Sequence, residues 1–232
     1  MKAVVLAAGI GSRLGELTKN TPKCLLPVQN RPVLDYWFEA LQAAGVTDVF
    51  INLHHLPDQV KDYLHSQQWG IKTVPFHEPE LLGSAGTLQQ ARDFVGDDDE
   101  FFIIYADNFA RLDLRRLLIF HRSRARSILT LVAYPTKYPE RCGILELDEA
   151  GRVLSFEEKP AQPKTNLANS GIHVASTKLF SRLPEHIPAD IGFHVLPRLV
   201  GEMYGYVTDE TIIDIGTPES YQLAQTLNLN RN

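Results

Sequence analysis

Two glycines and two cations stand close together near the start of this chain. The apolar run Ala3 to Ala8 opens into Gly9-Ile10-Gly11-Ser12-Arg13-Leu14, and Pro22-Lys23 follows ten residues after Arg13. With no Cβ in the way, backbone N–H groups just past a buried strand can approach an anion closely, and a phosphate is the natural guest. Arg13 and Lys23 would set two positive charges beside that nest. The spacing is not the dinucleotide fingerprint, because Leu14 stands where G-x-G-x-x-G needs its third glycine, and no G-K-[ST] is present for a P-loop. Taken alone, the loop reads equally well as a tight turn.

Acidic residues at the ends of apolar runs supply a second kind of chemistry. Asp107 comes just after Phe101-Phe102-Ile103-Ile104-Tyr105, and Asp214 follows Ile212-Ile213. Carboxylates at strand ends emerge at the carboxyl edge of an open α/β sheet, where such folds bind ligands. Two of them, with phosphate oxygens and water, would make the hard-oxygen site that Mg²⁺ prefers. Either aspartate alone would equally cap a turn. Lys159, between Glu158 and Pro160, reads as a buried cation in need of an anionic partner or as half of a surface pair. Gly143 serves either a close backbone approach or a bulge. His54, His55 and His77 lack the helical spacing of a metal pair, and Asp97 to Glu100 is an acidic loop.

These groups need elements to hold them. Short β-branched runs at Ala3–Leu6, Val49–Leu53, Ile71–Pro75, Phe101–Tyr105 and Ser127–Ala133 alternate with helical patterns at Val33–Ala44, Asp58–Ser66, Ala85–Phe94 and Leu114–Arg124. The alternation predicts a Rossmann-like α/β three-layer sandwich on a mainly parallel mixed sheet. After about residue 135 the pattern shifts to short strands, Gly143–Leu147, Val153–Glu157 and Gly171–Ala175, read as an antiparallel C-terminal addition. A helix at Pro218–Leu227 closes the series. No repeat or Gly/Ser linker divides the chain, so one domain over 1–232 is expected, with one half to about 135 and a second half beyond it.

Bulk properties limit the alternatives. The 232 residues are 44% hydrophobic and 22% charged, with a net charge of −5. That balance suits a soluble domain and argues against non-specific binding to nucleic acid or an anionic membrane. Two cysteines without ligand spacing fit a reducing cytoplasm, and the apolar N-terminal run is too short for a membrane span. A homo-oligomer stays open.

The segments Ala7 to Leu14 and Pro22-Lys23-Cys24-Leu25-Leu26-Pro27 together resemble the opening signature of the sugar-1-phosphate nucleotidyltransferases, the sugar-nucleotide pyrophosphorylases. The likeness continues at Leu82 to Thr87, Ala106-Asp107-Asn108, Phe156 to Pro160, Asn169-Ser170-Gly171 and Asp214 to Pro218. Ala106 departs from it, standing where the family usually has glycine. The resemblance implies Mg²⁺-dependent transfer of a nucleotidyl group from an NTP to a sugar 1-phosphate. It implies Mg²⁺ on Asp107 and Asp214, with Arg13, Lys23 and Asp107 catalytic. The nucleotide would lie against Leu6, Ala8, Gly9, Gly11, Ser12, Arg13, Glu78, Gly83 and Asp107. The sugar phosphate would meet Gly143, Glu158, Lys159, Asn169 and Gly171.

Likeness to short guanylyltransferases points to GTP with mannose or manno-heptose 1-phosphate. Glu78 could take both donors of guanine's edge, because a carboxylate only accepts hydrogen bonds. Uridylyl or thymidylyl transfer to glucose 1-phosphate or an amino-sugar 1-phosphate is the alternative. A non-catalytic nucleotide-sugar sensor is disfavoured by the presence of Arg13, Lys23, Asp107 and Asp214 together. An NAD-dependent oxidoreductase is disfavoured by the missing third glycine.

Overall fold

In the computed structural model, which describes residues 1–227, the N-terminal apolar run forms β1 (Lys2–Leu6). Successive side chains leave a strand on opposite faces. Ala3 and Val5 therefore join one core cluster while Val4 and Leu6 join the other. Beyond the glycine loop come the single turn α1 (Glu16–Lys19) and the small hairpin of β2 (Pro27–Val28) and β3 (Arg31–Pro32). Pro32 caps α2 (Val33–Ala43), whose Val33, Leu34, Trp37, Phe38 and Leu41 recur at helical spacing and are buried.

The parallel part then builds by βα units: β4 (Asp48–Leu53), α3 (Pro57–Ser66), β5 (Lys72–His77), α4 (Gly83–Gln90), α5 (Arg92–Val95) and β6 (Glu100–Tyr105). The order β5-β4-β1-β6 is parallel throughout. One helix was expected over Ala85–Phe94; it starts earlier, at Gly83, and is broken at Ala91 into α4 and α5. Trp37, Val60 and Leu117 lie in the cluster on one face of the sheet, and Leu88 and Val95 in the cluster on the other, which completes a three-layer sandwich.

The chain continues through β7 (Asn108–Ala110), α6 (Leu114–Ser123), β8 (Leu129–Pro135), β9 (Gly143–Leu147), β10 (Val153–Glu158), β11 (Leu167–Ser176), β12 (Met203–Val207), β13 (Ile212–Asp214) and α7 (Pro218–Thr226). β11 lies antiparallel against β6 and β9 along one edge and against β8 along the other, with Ala168 between Tyr134 and Ile144, so β8 belongs to the antiparallel addition rather than to the parallel half. The same sheet thus draws strands from both halves of the chain. Two further elements were not anticipated: the two-stranded ladder of β7 with β13, and a π-helical turn at Ile191–Val195. Among the described residues no helix is long and apolar enough to cross a membrane.

Candidate active site

The glycine loop leaves the carboxyl end of β1, where its neighbours are β4 and β6. Ala7 N–H donates to the Asn52 side-chain oxygen at 2.7 Å, so the buried asparagine on β4 sets where the loop begins. Gly11 has φ 70°, and a Cβ there would press on the Thr18 methyl at 2.8 Å. The Thr18 hydroxyl donates to the Gly11 carbonyl at 3.0 Å and closes the loop. Gly9 has open space where a Cβ would stand, which leaves its backbone approachable. Ser12 and Arg13 begin a short 3₁₀ turn, and the Arg13 side chain is 65% exposed.

Lys23 is the residue around which the site converges. Its side chain is only 4% exposed, and its ammonium donates to Asp107 Oδ2 at 2.8 Å and to Asp214 Oδ1 at 3.5 Å. Arg13 approaches the other oxygen of Asp214 at 3.9 Å. The β7–β13 ladder pairs Asn108 with Asp214, and the Ile215 N–H reaches the Asp107 carbonyl at 3.3 Å, so the two aspartates become neighbours through long-range pairing. Asn108 is itself anchored: its carbonyl accepts from the Trp37 indole at 2.8 Å and its amide donates to the Ser170 carbonyl at 2.6 Å. Gly216 lies close beside them: a Cβ there would come within 2.7 Å of the side-chain tips of both Arg13 and Asp214 and push them aside. Two carboxylates with no third His, Cys, Asp or Glu gathered round them, among the described residues, make a donor set of hard oxygens. That set fits Mg²⁺, which keeps waters and takes phosphate oxygens to complete its octahedron.

Glu78 departs from the expectation. It is 1% exposed and its carboxylate is turned inward, accepting from Asn52 at 2.9 Å, from the Thr87 hydroxyl at 2.6 Å and from the Leu82 N–H at 3.2 Å. A carboxylate with three internal donors holds the loop before α4 against β4 and presents no open edge to a base. Gly83, next along, has φ 73°, and a Cβ there would overlap the Ala189 carbonyl.

The second group of candidates gathers on β9, β10 and β11. Gly143 pairs with Glu158 across β9 and β10, and a Cβ at Gly143 would stand 2.6 Å from the Glu158 carboxylate. Burial pushes the Glu158 carboxyl above its usual range, with Lys159 pulling it down and Asp190 pushing it up. Lys159 is exposed, not buried as its setting suggested, and its backbone is left-handed at φ 52°. Its N–H is held by the Cys142 carbonyl, and its ammonium lies 5.8 Å from the centre of the Phe193 ring. Asn169 and Gly171 sit at the irregularity in β11, where Asn169 Oδ1 accepts from the Gly171 N–H and from His173 Nε2. Gly171, at φ 75°, lets the backbone press on the Tyr105 ring.

Sequence reasoning missed the wall facing these residues. Asp190 contacts the Ser84 hydroxyl at 3.3 Å, Ala189 bonds to the start of α4, and a Cβ at Gly192 would fall 2.5 Å from the Glu158 carboxylate. No motif marks Asp190-Ile191-Gly192-Phe193; its place depends on a turn that docks onto α4.

The family model for nucleotidyl transferases matches residues 2–231. The chain belongs to the nucleotidyl transferase family. It is 33% identical to a probable mannose-1-phosphate guanylyltransferase 1 of Oryza sativa subsp. japonica, over 95% of this chain and 63% of the rice protein. The chain spans about three fifths of the length of the curated relatives it matches. Among solved structures, a putative glucose-1-phosphate thymidylyltransferase from Bacillus anthracis superposes with a TM-score of 0.86 at 28% identity, covering 100% of this chain and 98% of that one. HddC from Yersinia pseudotuberculosis complexed with GMP-PN gives 0.80 at 28% identity, with 97% of each chain covered.

The alanine before the first aspartate is accommodated: Ala106 is wholly buried, and its N–H bonds to the Leu6 carbonyl at 3.0 Å. The alanine therefore extends the bonding between β1 and β6 up to the residue before Asp107.

Proposed function

We propose that this chain transfers the nucleotidyl group of an NTP to the phosphate of a sugar 1-phosphate, with GTP as donor and mannose or manno-heptose as the sugar. The observation that carries this reading is the convergence of Lys23 and Arg13 on Asp107 and Asp214 beside an open glycine loop. That arrangement holds two cations and a pair of hard-oxygen ligands where triphosphate charge would lie.

The phosphate oxygen of the sugar 1-phosphate attacks the α-phosphorus, the new P–O bond forms, and the bond to the β-phosphate breaks to release pyrophosphate. No general base is required, because a phosphate monoester with a second pKa of roughly 6 is already largely dianionic at neutral pH. The barrier lies in bringing two anions together and in the charge gathering on the leaving pyrophosphate. Arg13, exposed at the loop, is placed to meet the leaving charge. Lys23 serves the α-phosphoryl region or the acceptor phosphate, and Lys159 with Glu158 and Asn169 holds the sugar phosphate and its hydroxyls. Mg²⁺ on Asp107 and Asp214 would neutralise phosphate oxygens when bound.

The base is the finer part of the proposal. Guanylyltransferase relatives and the GMP-PN complex of HddC favour GTP, and the likeness to a thymidylyltransferase makes dTTP the competitor. Pyrophosphate release, measured for each common NTP against a panel of sugar 1-phosphates with and without Mg²⁺, decides the matter. Release should require all three components and be fastest with GTP; release without a sugar 1-phosphate, or none with any pair, would sink the reading.

A further inference from the structure

Lys23 does more here than wait for a phosphate. Its ammonium is 4% exposed and its recorded partners are the two carboxylates assigned above to the metal, at 2.8 and 3.5 Å. Arg13 adds a second positive charge at 3.9 Å from Asp214. Two cations thus balance two carboxylates, and the cluster is neutral without any metal.

From this arrangement we infer that Lys23 is a positioning residue with a second role: it holds Asp107 and Asp214 together before metal arrives and makes metal binding conditional on the nucleotide. The inference rests on the assignment of the metal to these two aspartates. A divalent cation entering the cluster alone must share its carboxylates, 37% and 51% exposed, with an ammonium in direct contact with both, and like charges at that range repel. The repulsion is relieved when Lys23 has another anion to turn to. An NTP supplies that anion in its phosphates, and the same phosphates supply the oxygens that two carboxylates leave wanting around Mg²⁺. By linkage, whatever the nucleotide does for metal affinity, the metal does for nucleotide affinity.

Geometry sets a limit on how Lys23 can yield. It opens the short 3₁₀ turn Lys23–Leu25, whose next residue, Cys24, is sealed in the core, so the backbone is anchored and only the side chain is placed to swing. The turn lies against the glycine loop, with a Cβ at Gly11 falling 3.5 Å from that of Lys23. A short swing therefore carries the ammonium from the carboxylates toward an anion in the loop.

The test uses Mn²⁺ as the probe, titrated into the full chain without nucleotide and followed by the electron paramagnetic resonance of free Mn²⁺. Lys23→Met keeps the bulk and removes the charge. It should bind Mn²⁺ alone on the order of tenfold more tightly than the unaltered protein, or better, because one contacting like charge has gone. The second measurement is thermal unfolding with and without Mn²⁺. The variant should melt lower than the unaltered protein in chelator, its carboxylates having lost their counter-ion, and Mn²⁺ should raise its melting temperature more. A variant that folds only with Mn²⁺ present gives the same answer. Equal or weaker Mn²⁺ binding by K23M, while the unaltered protein binds Mn²⁺ together with a non-hydrolysable αβ-imido NTP analogue, overturns the role of Lys23 and leaves the metal assignment standing. If Asp107→Asn binds Mn²⁺ and the analogue as the unaltered protein does, the metal assignment fails and this inference falls with it.

Discussion

At the scale of single residues the site depends on charge held at short range. Asp107 takes the closest contact of Lys23 and lies one residue from the ladder that brings in Asp214. Replacing it by Asn removes charge and little volume, so the fold should survive and the chemistry should not. Turnover is expected to drop by at least about 10²-fold, the usual cost of losing a preorganised electrostatic group. The near-ultraviolet circular dichroism should stay unchanged. Near-normal Mg²⁺-dependent pyrophosphate release from the purified variant would remove Asp107 from the mechanism.

At the scale of elements, two acids, Glu78 buried and Glu158 half-buried, link neighbouring segments. Glu78 joins β4 to the loop before α4 by accepting three internal hydrogen bonds, two from side chains and one from the Leu82 N–H. In Glu78→Gln one of those donors would face an N–H, which costs about 1–3 kcal/mol. The variant should therefore lose stability in urea while keeping its ranking of GTP over other nucleotides; a reversed ranking would return Glu78 to the base. Glu158 is similarly lodged, between Gly143 on β9 and Gly192 in the π-helical turn. Gly192→Ala must push the carboxylate aside. Loss of its contact to a sugar hydroxyl would raise KM for the sugar 1-phosphate by roughly tenfold. KM for the NTP should hold, because the glycine loop lies on the other side of the site, and a rise in both would show that the turn supports α4 instead.

At the scale of the whole molecule, stability should depend on pH through imidazoles buried between the layers. His173 on β11 is wholly buried, and desolvation pushes its pKa down to about 3. His121 on α6 is shifted down by burial as well. An unfolded histidine titrates near 6.5, so below that pH the unfolded chain takes up a proton that the folded one refuses. Stability from this source is therefore present at pH 7 and is lost as the pH falls from about 6.5 toward 3. For His173 alone the loss between pH 7 and 5 comes to about 2 kcal/mol by proton linkage. Denaturant melts at the two pH values should show it, and His173→Gln, which keeps a donor for Asn169, should show a smaller fall. A variant with the same pH dependence as the unaltered protein would place the effect elsewhere.

The strands β1, β4 and β6 were legible in the sequence because a buried strand needs a short apolar run, and the helices because a surface helix needs apolar residues three and four apart. Both patterns are local. The glycine loop and its cations were legible for the same reason, since Gly9 to Lys23 spans few residues. The partnership of Asp107 with Asp214 was suggested by resemblance, but its means, the pairing of Asn108 with Asp214 across β7 and β13, joins segments about a hundred residues apart. Burial was the other quantity that only the tertiary structure decided. Whether a charged side chain is sealed or open depends on which surfaces close over it, and that is set by packing between distant segments rather than by neighbours in the chain. So Lys23 proved sealed between two carboxylates, Lys159 open beside Phe193, and Glu78 turned inward to Asn52 and Thr87. Gly192 acquired its importance only when the turn that carries it docked against Glu158.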